Sequence, residues 1–238
     1  MKLNHHMNAE TFVVATVKSW NIEAFNRVSS KLQGNWTLIS DPLDLTLDNL
    51  KSLNPTYVFF PHWSWIVPED IFSQYDCVCF HMTDVPYGRG GSPLQNLILR
   101  GHETTKLSVL KMEKGLDAGP VYLKRDLPLD GTAEDILRRA SSLIWDLIPE
   151  IVIKKPVPKA QTGDPVHFKR RKPSEGNLKN SRSLNDIYNY IRMLDGEGYP
   201  PAFIKSGDFE YCFTHASQED DYVEARVKIR KRKKNNEV

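Results

Sequence analysis

The sequence predicts an α/β fold: an open, mostly parallel, Rossmann-like sheet followed by a small C-terminal extension of one helix and strands. Three observations carry this. Short β-branched or aromatic runs alternate with segments of helical periodicity through the first ~150 residues. The first run, Thr11 to Val17, is apolar almost throughout, as befits a strand covered on both faces. Beyond residue 153 the composition turns to Lys, Arg and Pro, which marks a boundary between an N-terminal domain at 1–153 and a linker with a small subdomain at 154–238.

The elements come in order. After the Thr11 strand, Asn21 to Leu32 reads as a helix with Asn21 as its cap and Gly34 as its end. Trp36 to Ser40 is a second strand. Thr46 caps a helix running to Leu53, which Pro55 stops. Tyr57 to Pro61 is the third strand, and Pro68-Glu69-Asp70 opens a short helix with proline and acids in its first turn. Asp76 to Met82 is the fourth strand. A glycine-rich loop, a helix over Ser92 to Arg100, strands at 106–111 and 121–125, and a long helix from Thr132 to Val152 complete the domain. The stretch from Lys154 to Pro173, broken by four prolines, reads as an extended linker crossing back over it. Ser183 to Leu194 is a helix, and Tyr199 to Phe213 reads as strand, turn and strand.

The totals exclude several classes. In 238 residues, 40% are hydrophobic and 26% charged, with a formal net charge of +2, so overall charge points to no nucleic-acid partner. The basic run from Arg226 to Lys234 reads as a solvated, disordered tail, the alternative being attraction to an anion such as a diphosphate, a membrane surface or RNA. Three cysteines, an odd number, argue for reduced thiols and a cytoplasmic location. No apolar run is long enough to span a bilayer, so no membrane partner is expected. Met1 to Glu10 carries His5 and His6 without an apolar stretch and reads as a loose leader rather than a signal peptide or metal site.

Chemistry concentrates in two segments. Phe80-His81-Met82-Thr83-Asp84-Val85-Pro86-Tyr87-Gly88-Arg89-Gly90-Gly91-Ser92-Pro93 puts a histidine at a strand's carboxyl end, where open α/β sheets hold ligands. Gly115-Leu116-Asp117-Ala118-Gly119 puts a carboxylate in a tight turn flanked by two strands. A histidine held by a carboxylate can take, stabilise and return a proton.

Together, His-x-Thr-x-x-Pro, Arg-Gly-x-Ser-Pro and Leu-Asp-Ala-Gly resemble the signature of the 10-formyltetrahydrofolate-dependent formyltransferases over roughly Val58 to Ile151. Phe168-Lys169-Arg170-Arg171-Lys172-Pro173 and the segment from Ile191-Arg192 to Tyr199-Pro200 resemble segments found after the catalytic domain in that family. The resemblance implies that 1–153 is catalytic, with His81 handling the proton and the oxyanion and Asp117 orienting His81. One position departs: Cys79 stands where the family carries an Asn expected to hold the formyl oxygen, and a thiol is a weak donor. Backbone N–H groups and His81, or the amides of Gln95 or Asn96, would then take that task.

The resemblance further implies 10-formyltetrahydrofolate as co-substrate and no metal. Its pterin is expected along the backbone of Met112, Glu113, Gly115 and Leu116, beside Trp65, Ile66 and Val67. Arg89, Gly90, Ser92, Gln95, Lys169, Arg170, Arg171, Tyr188 and Arg192 are expected to meet an anionic acceptor. The short C-terminal part looks most like the sugar N-formyltransferases, which makes the expected acceptor a nucleotide-linked 4-amino-4,6-dideoxysugar, specifically UDP-4-amino-4,6-dideoxy-N-acetyl-altrosamine of the pseudaminic-acid branch. The alternatives are another amine (aminoacyl-tRNA or a carrier-bound amino acid) or a non-catalytic folate- or nucleotide-sugar-binding module. A homodimer is left open.

Overall fold

The computed structural model describes residues 9–232; His5, His6 and the last two lysines of the basic run lie outside them. The elements are β1 (Thr11–Ala15), α1 (Ser19–Val28), β2 (Asn35–Ile39), α2 (Leu47–Leu53), β3 (Tyr57–Phe60), α3 (Glu69–Phe72), β4 (Asp76–His81), β5 (Tyr87–Gly90), α4 (Pro93–Leu99), β6 (Thr104–Lys111), β7 (Val121–Pro128), α5 (Ala133–Lys154), β8 (Val166–Phe168), α6 (Leu184–Arg192), β9 (Ala202–Ser206), β10 (Phe209–Gln218) and β11 (Val223–Lys231). They fall into two compact units. The first holds the chain up to Arg89, with Lys106–Arg125 and Ala140–Pro165; the second holds Gly90–Thr105, Asp126–Arg139 and the chain from Val166.

In the first unit a six-stranded sheet has the order β2-β1-β3-β4-β6-β7. β1 lies parallel to β2 and β3, and β3 parallel to β4, as the βαβ rhythm predicts. β6 runs antiparallel to β4, pairing Ser108 with His81 and Lys111 with Val78. The period-2 alternation of a strand explains why the central runs are apolar at every position. Val13, Ala15, Val58, Phe60 and Cys77 face one core with Leu50, Val67 and Ile71. Phe12, Tyr57 and Phe59 point to the other face, where Trp36 stacks between Phe12 at 4.6 Å and Phe59 at 6.1 Å. Burying each such side chain contributes about 1.5–3 kcal/mol.

Helix ends largely follow the capping residues. Thr46 Oγ1 accepts from the Asn49 amide at 3.2 Å at the start of α2. Thr132 and Asp135 cap α5 reciprocally, through Asp135 N–H to Thr132 Oγ1 at 3.2 Å and Thr132 N–H to Asp135 Oδ2 at 2.9 Å. Asn21 is a correction. Helix α1 begins two residues earlier, and Asn21 is wholly buried inside its first turn. Its amide donates to His62 Nδ1 at 2.9 Å, and its carbonyl oxygen accepts from Ser141 Oγ at 2.6 Å. The amide serves the interior instead of the helix end.

The second unit contains an antiparallel sheet, β11-β10-β9, beside the capped helix α6. The basic run is also a correction. Arg226, Lys228, Arg230 and Lys231 belong to β11, paired with β10 from Phe209↔Lys231 to Gln218↔Val223. Their alternation with Ala225, Val227 and Ile229 is a strand pattern that the charge density obscures.

Candidate active site

His81 is the last residue of β4, and its ring is held from both sides. Nε2 lies 2.8 Å from the carbonyl oxygen of Gly88. A carbonyl can only accept, so Nε2 carries a proton there. Nδ1 faces Asp117 Oδ1 at 3.5 Å, with the two side chains only 9% and 16% exposed. Thr83 Oγ1 donates to the same Gly88 carbonyl at 3.3 Å, and the Thr83 carbonyl accepts from Ser108 Oγ at 2.6 Å. Ser108 is the strand partner of His81, so β6 supports the loop that holds the ring.

The turn carrying Asp117 is shaped by its neighbours. Asp117 adopts a left-handed backbone (φ 51°), a conformation that Asp and Asn tolerate better than most residues. Gly119 must lack a side chain, because a Cβ there would stand 1.8 Å from the Lys111 carbonyl oxygen. The turn is therefore pressed against the end of β6, and the carboxylate rises beside His81.

Cys79 lies two residues before His81, on the same face of β4. Burial, and then the neighbouring Asp117 carboxylate, push its thiol far above the ordinary range. It is a protonated, partly buried thiol rather than a nucleophile. The amides considered in its place are engaged elsewhere. Gln95 Nε2 donates to the Met193 carbonyl at 3.1 Å, and Asn96 Nδ2 to the carbonyls of Gly91, Ser92 and Lys169.

The loop residues expected around a pterin divide. Trp65, Ile66 and Leu116 are exposed apolar side chains at 49%, 92% and 65%. Val67 is buried in the core instead. Met112 and Glu113 line an open cavity of about 440 Å³ with Phe72, Tyr75, Asp76 and Lys111. That cavity opens at the Asp76 end of β4, whereas His81 ends the same strand, so it is not where the His81–Asp117 chemistry sits.

Arg89 belongs to the first unit, where its guanidinium donates to Gln161 Oε1, whereas the other expected acceptor-binding residues lie in the second. Gly91 accommodates the backbone of Arg170, which a Cβ would meet at 2.6 Å, and Ser92 Oγ accepts from the Arg171 amide at 3.0 Å. Gly90 is similarly confined by the Phe168 carbonyl at 2.5 Å. Lys169 and Arg170 present exposed side chains, while Arg171 leans on the Tyr190 ring at 5.7 Å. Arg192 is committed to structure. Its guanidinium donates to the carbonyls of Leu129 at 2.6 Å and Gly131 at 3.0 Å, with Tyr188 at its side, and burial lowers its pKa. Among the described residues, no cluster of three or more His, Cys, Asp or Glu is arranged to hold a metal.

Comparison with known proteins bears directly on this arrangement. A solved structure described as methionyl-tRNA formyltransferase from Clostridium thermocellum is 48% identical, with a TM-score of 0.89 over 93% of this chain and 99% of that one. The chain belongs to the formyltransferase family. The family model for the C-terminal domain of methionyl-tRNA formyltransferase matches residues 173–230, which include α6, β9, β10 and all but the last residue of β11. A curated methionyl-tRNA formyltransferase of Thermodesulfovibrio yellowstonii is 27% identical over 157 residues, 63% of this chain and 51% of that protein. The chain thus spans about half the length of the curated formyltransferases it matches. A sugar N-formyltransferase from Shewanella sp. FDAARGOS_354 shares the fold at 14% identity and a TM-score of 0.66, over 89% of this chain and 99% of that one.

Proposed function

We propose that this protein transfers a formyl group from 10-formyltetrahydrofolate to a primary amine, with His81 and Asp117 moving the proton. The observation that carries the reading is the His81 Nδ1–Asp117 Oδ1 approach of 3.5 Å at the carboxyl end of β4, in a chain of the formyltransferase family. The exposed apolar side chains of Trp65, Ile66 and Leu116 suit a folate ring. When bound, that co-substrate supplies the formyl carbon and a nitrogen leaving group. The chain's part is proton handling. The attacking amine must shed a proton, which Nδ1 of the imidazole receives and the Asp117 carboxylate stabilises as imidazolium. His81 then returns it to the departing nitrogen. Cys79 supplies little to the oxyanion, so backbone N–H donors and the positive charge of the protonated ring offset that charge.

The acceptor we favour is the amino group of methionyl-tRNA, which replaces the sugar and the absence of a nucleic-acid partner as the leading expectation. The named relatives and the match over residues 173–230 support it, as do the exposed Arg226 and Lys228 on β11. A nucleotide-linked amino sugar is the second reading, favoured by a sugar N-formyltransferase chain covered to 99% by this one. We assign catalysis to residues 1–153, acceptor binding to 154–238, and the protein to the cytoplasm. No helix among the described residues is long and apolar enough to cross a membrane.

The test incubates the protein and 10-formyltetrahydrofolate with charged methionyl-tRNA or with a panel of amino nucleotide-sugars, following tetrahydrofolate release and product mass. Formylmethionyl-tRNA is the expected product. A formylated sugar alone would move the acceptor to the second reading, and folate binding without turnover on any amine would overturn transfer itself.

A further inference from the structure

Gln161 lies in the stretch after α5, outside every sequence motif, yet its side-chain amide makes four hydrogen bonds. Nε2 donates to the carbonyls of Asp117 and Gly119, each at 2.8 Å. Oε1 accepts from Arg89 Nε at 3.0 Å and Nη2 at 2.7 Å. Only one amide orientation satisfies all four, because a carbonyl only accepts and a guanidinium only donates. A side chain with both functions is required at this place.

The two segments it joins are the two that hold His81. Asp117 faces the ring's Nδ1, and Gly88, whose carbonyl holds Nε2, immediately precedes Arg89. The Asp117 turn lies outside the regular elements, and Gly88–Arg89 belongs to the four-residue strand β5. Asp117 sits in a left-handed turn, and Gly88 is left-handed as well (φ 79°). A tight turn and a very short strand need bonds from outside to keep one geometry.

We propose that Gln161 is a positioning residue that clamps the Asp117 turn to the Gly88–Arg89 segment and so sets both contacts of the His81 ring. Its kinetic consequence rests on the formyl-transfer reading; the geometric consequence does not. Gln161→Glu keeps the length and the Arg89 contact but turns lone pairs toward two carbonyls. Gln161→Leu removes both sides of the clamp. In either variant the Asp117 turn loses its hold while His81 and Asp117 remain in the chain.

The experiment uses the full chain, with ¹⁵N spectra of the His81 ring at one fixed pH and steady-state kinetics on the amine that the wild type formylates. In both variants the His81 ring signals should move toward those of Asp117→Asn. By the cost of a ~1 Å misplacement, kcat should fall on the order of 100-fold, while KM for donor and amine stays within about threefold. Ring signals that overlay the wild type in a folded variant would overturn the clamp. If the wild type transfers no formyl group, the functional reading fails while the ring spectra still decide this one. Should Gln161→Leu not fold, Arg89→Met leaves Gln161 in place and gives the same decision: shifted ring signals support the clamp, and unchanged ones refute it.

Discussion

His81 meets Asp117 at 3.5 Å through Nδ1, while its Nε2 sits closer, at 2.8 Å, to the Gly88 carbonyl. The ring is thus tied more tightly to backbone than to carboxylate, and the looser side faces the group that would share its proton. Asp117→Asn keeps the shape and removes the charge. Its kcat should fall about 10³–10⁴-fold with little change in KM, as for the orienting acid of a comparable histidine. His81→Asn should abolish turnover with thermal stability nearly unchanged. Activity within tenfold of wild type in either variant would remove the pair from the mechanism.

Cys79→Asn restores the amide that the family resemblance places before the histidine. An oriented donor to an oxyanion is worth about 10²–10³ in kcat where a site is built around it. Here the surroundings are shaped for a thiol, and a rise of about tenfold is expected. A drop in kcat would show that the local packing has adapted to the cysteine. Because burial and Asp117 hold the thiol protonated, iodoacetamide at neutral pH should modify Cys79 in the folded chain far more slowly than in urea, a contrast mass spectrometry can follow.

His62 gives the fold a defined acid limb. Burial, and then Lys18, lower its pKa from 6.5 to about 4, and the Asn21 amide donating to Nδ1 favours the neutral ring. Between those values the unfolded chain binds the extra proton and the folded chain does not. Stability is therefore complete above pH 6.5 and is lost as pH falls toward 4, by at most about 3 kcal/mol. Urea unfolding across that window should show the loss, and His62→Asn, which suits the left-handed backbone there (φ 51°), should flatten it. Equal slopes in wild type and variant would rule His62 out as the source.

Gly119→Ala tests the pressed turn. With 1.8 Å between a new Cβ and the Lys111 carbonyl, something must shift. A loss of about 2–3 kcal/mol is expected, together with reduced kcat, since the displaced turn carries Asp117. A variant as stable and active as wild type would mean that the turn adapts freely.

The βαβ order, both-face burial of β1 and β3, and the position of His81 at a strand end are legible because each is written in a local period or a terminal residue. The direction of β6 is not. Nothing within Thr104–Lys111 encodes which way it lies against β4; that depends on where the chain between them travels. β11 is hidden by its own charges. Arg192 reads as a ligand contact because a basic residue near a helix end looks alike whether it meets phosphate or the carbonyls of Leu129 and Gly131. Gln161 has no sequence signal at all, since its partners lie 42 to 72 residues away.

The bond from Ser141 to Asn21 spans 120 residues. A ribosome releasing this chain from its amino end exposes β1, α1 and β3 well before α5 exists. Until Ser141 arrives, the Asn21 oxygen lacks its protein donor and is satisfied only by water, so burying it early is unfavourable. The first half of the chain is therefore unsuited to lock shut during synthesis, and the last long helix of the sheet unit becomes the closing step. A fragment ending before residue 141 is expected to be cut by added protease faster than the full chain.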